Sequence, residues 1–326
     1  MGNPVETDVL CLGESMALFV PGEPGPVDQV RTWIRTVGGA ESNVACNLAM
    51  LGLRAKWVSA VGQDAFGKAV VSAVASHGVD VSGVVVDPAR PTGLYIKESS
   101  AGGSPVRYYR RGSAASGMGP ALLGDLDLNV RVVHLTGITA ALSDSCLDLM
   151  RALVAAPRNT FRLSFDLNWR PGLWTGRDTS VLRELADSAD IVLAGDDEAL
   201  DVWGTSDPAE IRRILPGPAT VVVKHGARGA TLIEGGVSVF QPALRVDVVE
   251  PVGAGDAFAA GFLAATLAGE SPVRRLRSGH LQAATTLRTH DDVGTPLPPG
   301  LMTSLLDADA DEWAAAHLTE QGVLQP

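Results

Sequence analysis

The segment Pro251-Val-Gly-Ala-Gly-Asp256-Ala-Phe-Ala-Ala-Gly261 holds the residues whose types and order best suit chemistry. A glycine-rich turn that opens a helix points several backbone N–H groups outward at the positive end of the helix dipole, where anionic oxygens bind. Gly253, Ala254 and Gly255 are therefore a candidate anion hole, suited to the charge that spreads over a phosphoryl group during transfer. The same dipole favours Asp256 as a carboxylate, able to take a proton from an attacking hydroxyl. An ordinary capped helix with packing glycines would account for a bare GxGD. It accounts less well for the whole stretch with its run of small residues.

A second group of residues bears on what is bound. Arg170, in Phe165-Asp-Leu-Asn-Trp-Arg170, follows an apolar run at the point where open α/β sheets place their ligands. A guanidinium grips a carboxylate through two parallel hydrogen bonds, which an ammonium cannot reproduce. Tyr108 and Arg110 alternate with Tyr109 and Arg111, so one strand face presents a phenol and a cation together. That face suits a sugar acid, although arginines also blunt exposed sheet edges. The loop Gly62-Gln-Asp-Ala-Phe-Gly-Lys68 spells GxxxxGK, but Ala69 stands where a metal-binding hydroxyl is required. It reads as a strand-to-helix turn that shapes the ligand pocket. None of the six histidines forms an HxxxH or HExxH pair. His134, inside an apolar run, reads as a satisfied core residue, and Cys46 as packing.

These residues need a scaffold, and the sequence describes one. Short β-rich apolar runs (Val9–Leu12, Ala55–Val61, Val130–Leu135, Phe161–Phe165, Ile191–Leu193, Thr220–Val223) alternate with helix-period segments such as Glu41–Leu51, Gly67–His77, Ser143–Ala155 and Thr179–Ser188. The pattern predicts an α/β fold: a mostly parallel central sheet with helices on both faces, in one domain over residues 1–326. Two stretches break the alternation, at about residues 16–37 and 92–112. The first carries the loop Pro21-Gly-Glu-Pro-Gly-Pro26. The second reads as a hairpin, Gly93–Lys97 and Val106–Arg111, around a turn at Ser99–Ser104. Together they predict a small projecting β-sheet, a lid that covers a ligand or pairs with another subunit.

Composition narrows the partners. Hydrophobic residues make up 46% and charged residues 19%, a globular balance, and a formal net charge of −11 argues against nucleic acid or an anionic membrane as a partner. The three cysteines show no CxxC spacing, and the N-terminal residues lack a basic stretch ahead of an apolar one. The expectation is a cytoplasmic protein that gathers local positive charge around an anionic small molecule.

The stretch Val252–Phe262 resembles the C-terminal signature of the ribokinase-like (PfkB) carbohydrate kinases. Gly38-Gly-Ala-Glu-Ser-Asn43, Val61-Gly-Gln-Asp-Ala-Phe-Gly67 and Lys224-His-Gly-Ala-Arg-Gly229 resemble three further motifs of that family, in family order over nearly the whole chain. Within the family, Thr92–Tyr95, Tyr108–Ser113 and Asp166–Arg170 are most similar to 2-keto-3-deoxygluconate kinases. The resemblance implies transfer of the γ-phosphoryl of ATP to a terminal hydroxyl, with Mg²⁺, in a homo-oligomer joined through the lid. It implies substrate contacts from Gly38, Gly39, Asn43, Tyr95, Tyr108, Arg110, Arg170, Asp256 and Asp291. On the nucleotide side it implies Asn168, Lys224, Gly226, Gly229, Gly253 and Gly255, with Glu198 acting indirectly on the metal. Two positions depart from the family pattern: Gly195 where Asn is usual ahead of Glu198, and Glu250 ahead of Pro251. A kinase for a neutral sugar such as fructose or ribose, and an impaired sugar or nucleotide sensor, are the alternatives.

Overall fold

The computed structural model describes residues 6–23, 25–97, 106–158, 160–319 and 322–324. In chain order the strands that build the site are β1 (Thr7–Leu12), β2 (Met16–Pro21), β3 (Trp33–Gly38), β4 (Ala55–Gly62), β5 (Asp80–Asp87), β6 (Leu94–Lys97), β7 (Val106–Tyr109), β8 (Val130–Thr136), β9 (Arg162–Asp166), β10 (Ile191–Gly195), β11 (Thr220–Lys224), β12 (Gly229–Glu234) and β13 (Val237–Pro242). Nine of them form one sheet in the order β13-β12-β11-β10-β9-β8-β1-β4-β5. The pairs from β11 through β5 are parallel, while β12 and β13 extend the sheet antiparallel.

Alternation along each strand explains the burial of both faces. Val9 and Cys11 of β1 join one core and Leu10 and Leu12 the other; Ile191 and Leu193 of β10 oppose Val192 and Ala194 in the same way. One core receives helices Ala40–Met50, Ala254–Leu267 and Pro272–Leu287, and the other receives Asp144–Ala155 and Ser180–Asp187. The predicted α/β architecture is the one observed, and four predicted helices fall within two residues of their places.

The lid is a second sheet of order β3-β2-β6-β7. The stretch 16–37 expected to join the lid supplies β3 and also a regular strand ahead of the proline-rich loop, β2, which pairs antiparallel with β3 and parallel with β6. Strand β2 starts a few residues after β1, so the lid grows directly from the C-terminal edge of the main sheet. The hairpin turn expected at Ser99–Ser104 lies outside the described residues. Asp64 anchors the lid base: it caps the helix Ala65–Ser76 at Gly67 N (2.7 Å) and accepts from Thr92 N and Oγ1, both at 2.9 Å. The Gly62–Lys68 turn thus fastens the lid and does not line the sugar pocket, as the sequence suggested it would, and Lys68 is exposed.

The helix Ala254–Leu267 is apolar almost all round because it lies between the sheet and the helix Pro272–Leu287. At Gly261 the two helices touch so closely that an added methyl would strike the Ser278 carbonyl. Gly261→Ala is expected to cost about 1–3 kcal/mol through overpacking. Urea denaturation would register this as a lower midpoint with an unchanged slope.

Candidate active site

Asp256 stands in the first turn of the helix Ala254–Leu267, behind Gly253. Gly253 has φ +85°, and a side chain there would collide with the Asp292 backbone carbonyl, so both conformation and space demand glycine. The Asp256 carboxylate is held from two sides. Asn43 Nδ2 donates to Oδ2 at 2.9 Å, and Asn168 Nδ2 donates to Oδ1 at 3.3 Å. Asn168 adopts φ +39°, the left-handed region that asparagine tolerates better than most side chains. Burial pushes the Asp256 carboxyl up to about 7; the Asn43 hydrogen bond, Arg170 and Lys224 oppose the rise, and Asp166 adds to it. Lost solvent therefore outweighs the dipole stabilisation expected from the sequence. A base whose pKa lies near the working pH holds the proton it receives without surrendering its own availability.

A pocket of ≈ 320 Å³ opens in front of Asp256, at the C-terminal ends of the parallel strands and beneath the lid. Gly38, at the end of β3, leaves room for the Tyr95 hydroxyl and the Asp292 carboxylate, which a side chain at that position would strike. Tyr95 donates to Asp292 Oδ2 at 3.1 Å and stacks on Tyr108 with ring centroids 5.5 Å apart. The Arg110 guanidinium lies 5.5 Å from the centre of the Tyr108 ring. Arg110 Nε donates to Glu14 Oε2 at 2.6 Å, and Ser113 Oγ donates to Glu14 Oε1. Arg170 stands at the rim, its side chain 47% exposed, with Nη1 donating to the Trp169 carbonyl and 3.9 Å from Glu198 Oε1.

Behind the anion hole lies a second cavity of ≈ 650 Å³, lined by apolar groups including Leu244, Val246, Phe258 and Leu287, and by Gly226, Gly229 and Ala254. A short sheet of Arg245–Val246, His317–Thr319 and Gly322–Leu324 contributes to its wall. The two cavities share Lys224, Pro251 and Gly255. Lys224, the last residue of β11, donates to both oxygens of buried Asp166, at 3.0 and 2.8 Å. Burial works against its charge, but Asp166 and Glu198 hold the ammonium above its usual range. Glu198 opens the helix Asp196–Trp203; it accepts from Gly195 N at 2.7 Å and from Trp169 N at 3.1 Å. Burial raises its carboxyl against the opposing pull of Lys224. A Cβ at Gly195 would meet Asp197 Oδ1, the atom that accepts from Glu198 N at 2.9 Å. The carboxylate of Asp197 therefore satisfies an amide of the first helical turn and occupies space that a side chain at position 195 would need.

Asn168 Oδ1 is buried without a partner, and each Glu198 oxygen keeps a lone pair beyond the one its backbone N–H uses. These acceptors fit a hydrated Mg²⁺ carried on nucleotide phosphates. They do not amount to a cage, since among the described residues no three His, Cys, Asp or Glu are grouped to hold a metal.

The residues singled out in the sequence converge, with exceptions that have physical causes. Gly38, Gly39, Asn43, Tyr95, Tyr108, Arg110, Asn168, Arg170, Glu198, Lys224, Gly253, Gly255 and Asp256 line the first pocket; Gly226 and Gly229 line the second. Asp291 does not join them. The turn after the helix Pro272–Leu287 exposes Asp291 and buries its neighbour Asp292, which takes the position expected of Asp291. The expected excess of positive charge is also corrected, because Arg110 and Lys224 are each matched by a buried carboxylate. Glu14, Lys97 and Asp166 were not anticipated as site residues; for Glu14 and Asp166 the signal was their place at the C-terminal ends of β1 and β9. His134 is buried as expected, with Nδ1 3.0 Å from Ser164 Oγ, but its Nε2 has no partner and burial lowers it to about 4.

Known proteins resemble this chain over most of its length. The pfkB family carbohydrate kinases match residues 6–298. A 2-dehydro-3-deoxygluconokinase of Thermoproteus tenax is 38% identical over 281 residues, 82% of this chain and 84% of that protein. One of Bacillus subtilis (strain 168) is 37% identical over 298 residues, 89% and 92% of the two chains. The crystal structure of a PfkB protein from Polaromonas sp. JS666 superposes with a TM-score of 0.78 at 36% identity, covering 85% of this chain and 95% of the other. These relatives match along most of their length, and the chain belongs to the pfkB family of carbohydrate kinases.

Proposed function

We propose that this chain transfers the γ-phosphoryl group of ATP to the terminal 6-hydroxyl of 2-keto-3-deoxygluconate, giving 2-keto-3-deoxy-6-phosphogluconate and ADP. The observation that carries the reading is the place of Asp256, on the wall of a polar pocket and beside the anion hole shared with an apolar cavity. The two relatives named for this reaction, similar over most of their length, support the substrate. The sugar acid lies between Asp256 and the lid, with its carboxylate toward Arg170 and its hydroxyls toward Asp292 and Tyr95. ATP lies across Gly226 and Gly229 with its γ-phosphoryl at the Gly253–Gly255 amides.

The substrate hydroxyl oxygen forms a bond to the γ-phosphorus as the bridging P–O bond to ADP breaks, with its electron pair leaving on ADP. The hydroxyl proton passes to Asp256. Asn43 and Asn168 hold the carboxylate toward that proton, and the helix start stabilises charge on the transferring oxygens. Mg²⁺, when bound beside Asn168 and Glu198, supplies neutralisation of phosphate charge.

Asp256→Asn is expected to lower kcat by about 10²–10⁴ while leaving ATP affinity within about twofold, as fits loss of a general base. In the wild type the base must be deprotonated, so kcat/KM for the sugar should fall as pH drops below about 7, the value to which burial raises Asp256. A coupled ADP-release assay across pH checks both; wild-type turnover in the variant would remove Asp256 from this role.

The carboxylate assignment rests on Arg170 alone, because Arg110 is matched by Glu14. A neutral sugar as substrate is the second reading that this pairing favours. Arg170→Ala is expected to raise KM for keto-deoxy sugar acids by about 10–100-fold, the worth of a hydrogen bond to a charged group. KM for fructose or ribose should hardly move. Equal effects on acids and neutral sugars would favour the second reading.

The pocket-facing side of the lid continues past the pocket to Ile34, which is 56% exposed and paired in register with Val20. A second copy of the chain covering this face, in a cytoplasmic homo-oligomer, belongs to the same proposal. Ile34→Lys is expected to reduce the native mass measured by light scattering, whereas an unchanged mass would place the contact elsewhere.

A further inference from the structure

Lys97 ends β6 and is 4% exposed. Its ammonium lies 3.0 Å from Asp292 Oδ1 and 3.7 Å from Glu250 Oε2, so one lid cation meets carboxylates from two different loops. Glu250 precedes the anion hole, and its Oε1 accepts from Val252 N at 3.2 Å, bracing the turn that leads into Gly253. Asp292 follows the helix Pro272–Leu287. Its backbone carbonyl packs against Gly253, and its other carboxylate oxygen accepts from Tyr95.

This cluster accounts for the departure at Glu250. A carboxylate there meets Lys97 while its second oxygen holds the Val252 amide. The arrangement is an expensive way to add stability, since well-packed apolar residues often serve as well as a buried ion pair. Its location suggests another use. Two anionic ligands must meet beside Glu250 and Asp292, and Lys97 is the cation that offsets both. Without it, two poorly hydrated carboxylates would repel each other and the incoming phosphate.

We propose that Lys97 is a positioning residue for phosphoryl transfer: it fixes the Glu250–Gly253 turn and the Asp292 carboxylate together, so that the anion hole is correctly aimed only when the lid strand is seated. The proposal rests on the reading of Gly253–Gly255 as the anion hole, but not on the identity of the sugar.

The test compares Lys97→Met, Glu250→Gln and the double variant, each first shown to be folded by its thermal transition. Rates are measured on whichever sugar of a panel the wild type phosphorylates, so a wrong substrate assignment leaves the comparison intact. Lys97→Met should lose at least about tenfold in kcat, with KM for ATP within about twofold, because an anion hole acts on the transition state. Adding Glu250→Gln should recover part of that loss, because it removes one of the two buried carboxylates that Lys97→Met leaves uncompensated, Asp292 being the other. A sugar-independent reading comes from ADP affinity with and without aluminium fluoride, a mimic of the transferring phosphoryl group. Lys97→Met should lose the fluoride-dependent gain while ADP alone binds normally, and the double variant should regain part of it. Wild-type kcat in Lys97→Met, or a folded double variant no better than Lys97→Met in either assay, overturns the proposal.

Discussion

A carboxylate that must act as a base beside a polyphosphate faces repulsion from its own substrate, and much of this structure answers that constraint. In the proposed reaction Asp256 cannot be moved away, because it must reach the hydroxyl proton. It is instead buried, which raises its pKa toward neutrality, while two asparagine amides hold the carboxylate in place and the Asn43 bond offsets part of that rise. In the same proposal the amides at the start of that helix meet the phosphoryl oxygens. Base and anion hole thus come from one turn of chain, and the left-handed conformation of Gly253 sets the angle between them.

The same constraint organises the surrounding charges. The chain is acidic overall, yet around the pocket cations and carboxylates are matched: Lys224 with Asp166, Arg110 with Glu14, and Lys97 with Asp292 and Glu250. Arg170, at the solvent edge, is the pocket-lining guanidinium for which, among the described residues, the one carboxylate within 4 Å stands at 3.9 Å. Pairing does more than balance charge. Each pair joins elements distant in sequence, so the fold and the electrostatics of the site are the same set of contacts.

The sequence made the fold and the reacting core legible for reasons that can be named. Strands buried on both faces, alternating with helix-period segments, leave few architectures open. Glycine–aspartate turns carry their function in backbone conformation, which residue type reveals. Less legible were features that depend on which side chains meet. Asp291 and Asp292 are chemically identical, and only the turn after the preceding helix decides which faces inward. Arg110 looked like a free cation because nothing near it in sequence marks Glu14 as its partner. Strand β2 was hidden by its continuation into a loop rich in proline and glycine.

The Arg110–Glu14 contact joins the end of the lid to the segment just after β1. Were this join made by apolar surface alone, parting it would expose that surface to water and the lid would be held shut. An ion pair exchanges its partner for hydration instead, and much of what is lost on separation is regained from solvent. The edge of the lid is thus closed by a contact whose partners regain hydration when they part, so parting it costs less than parting a well-packed apolar join of similar size.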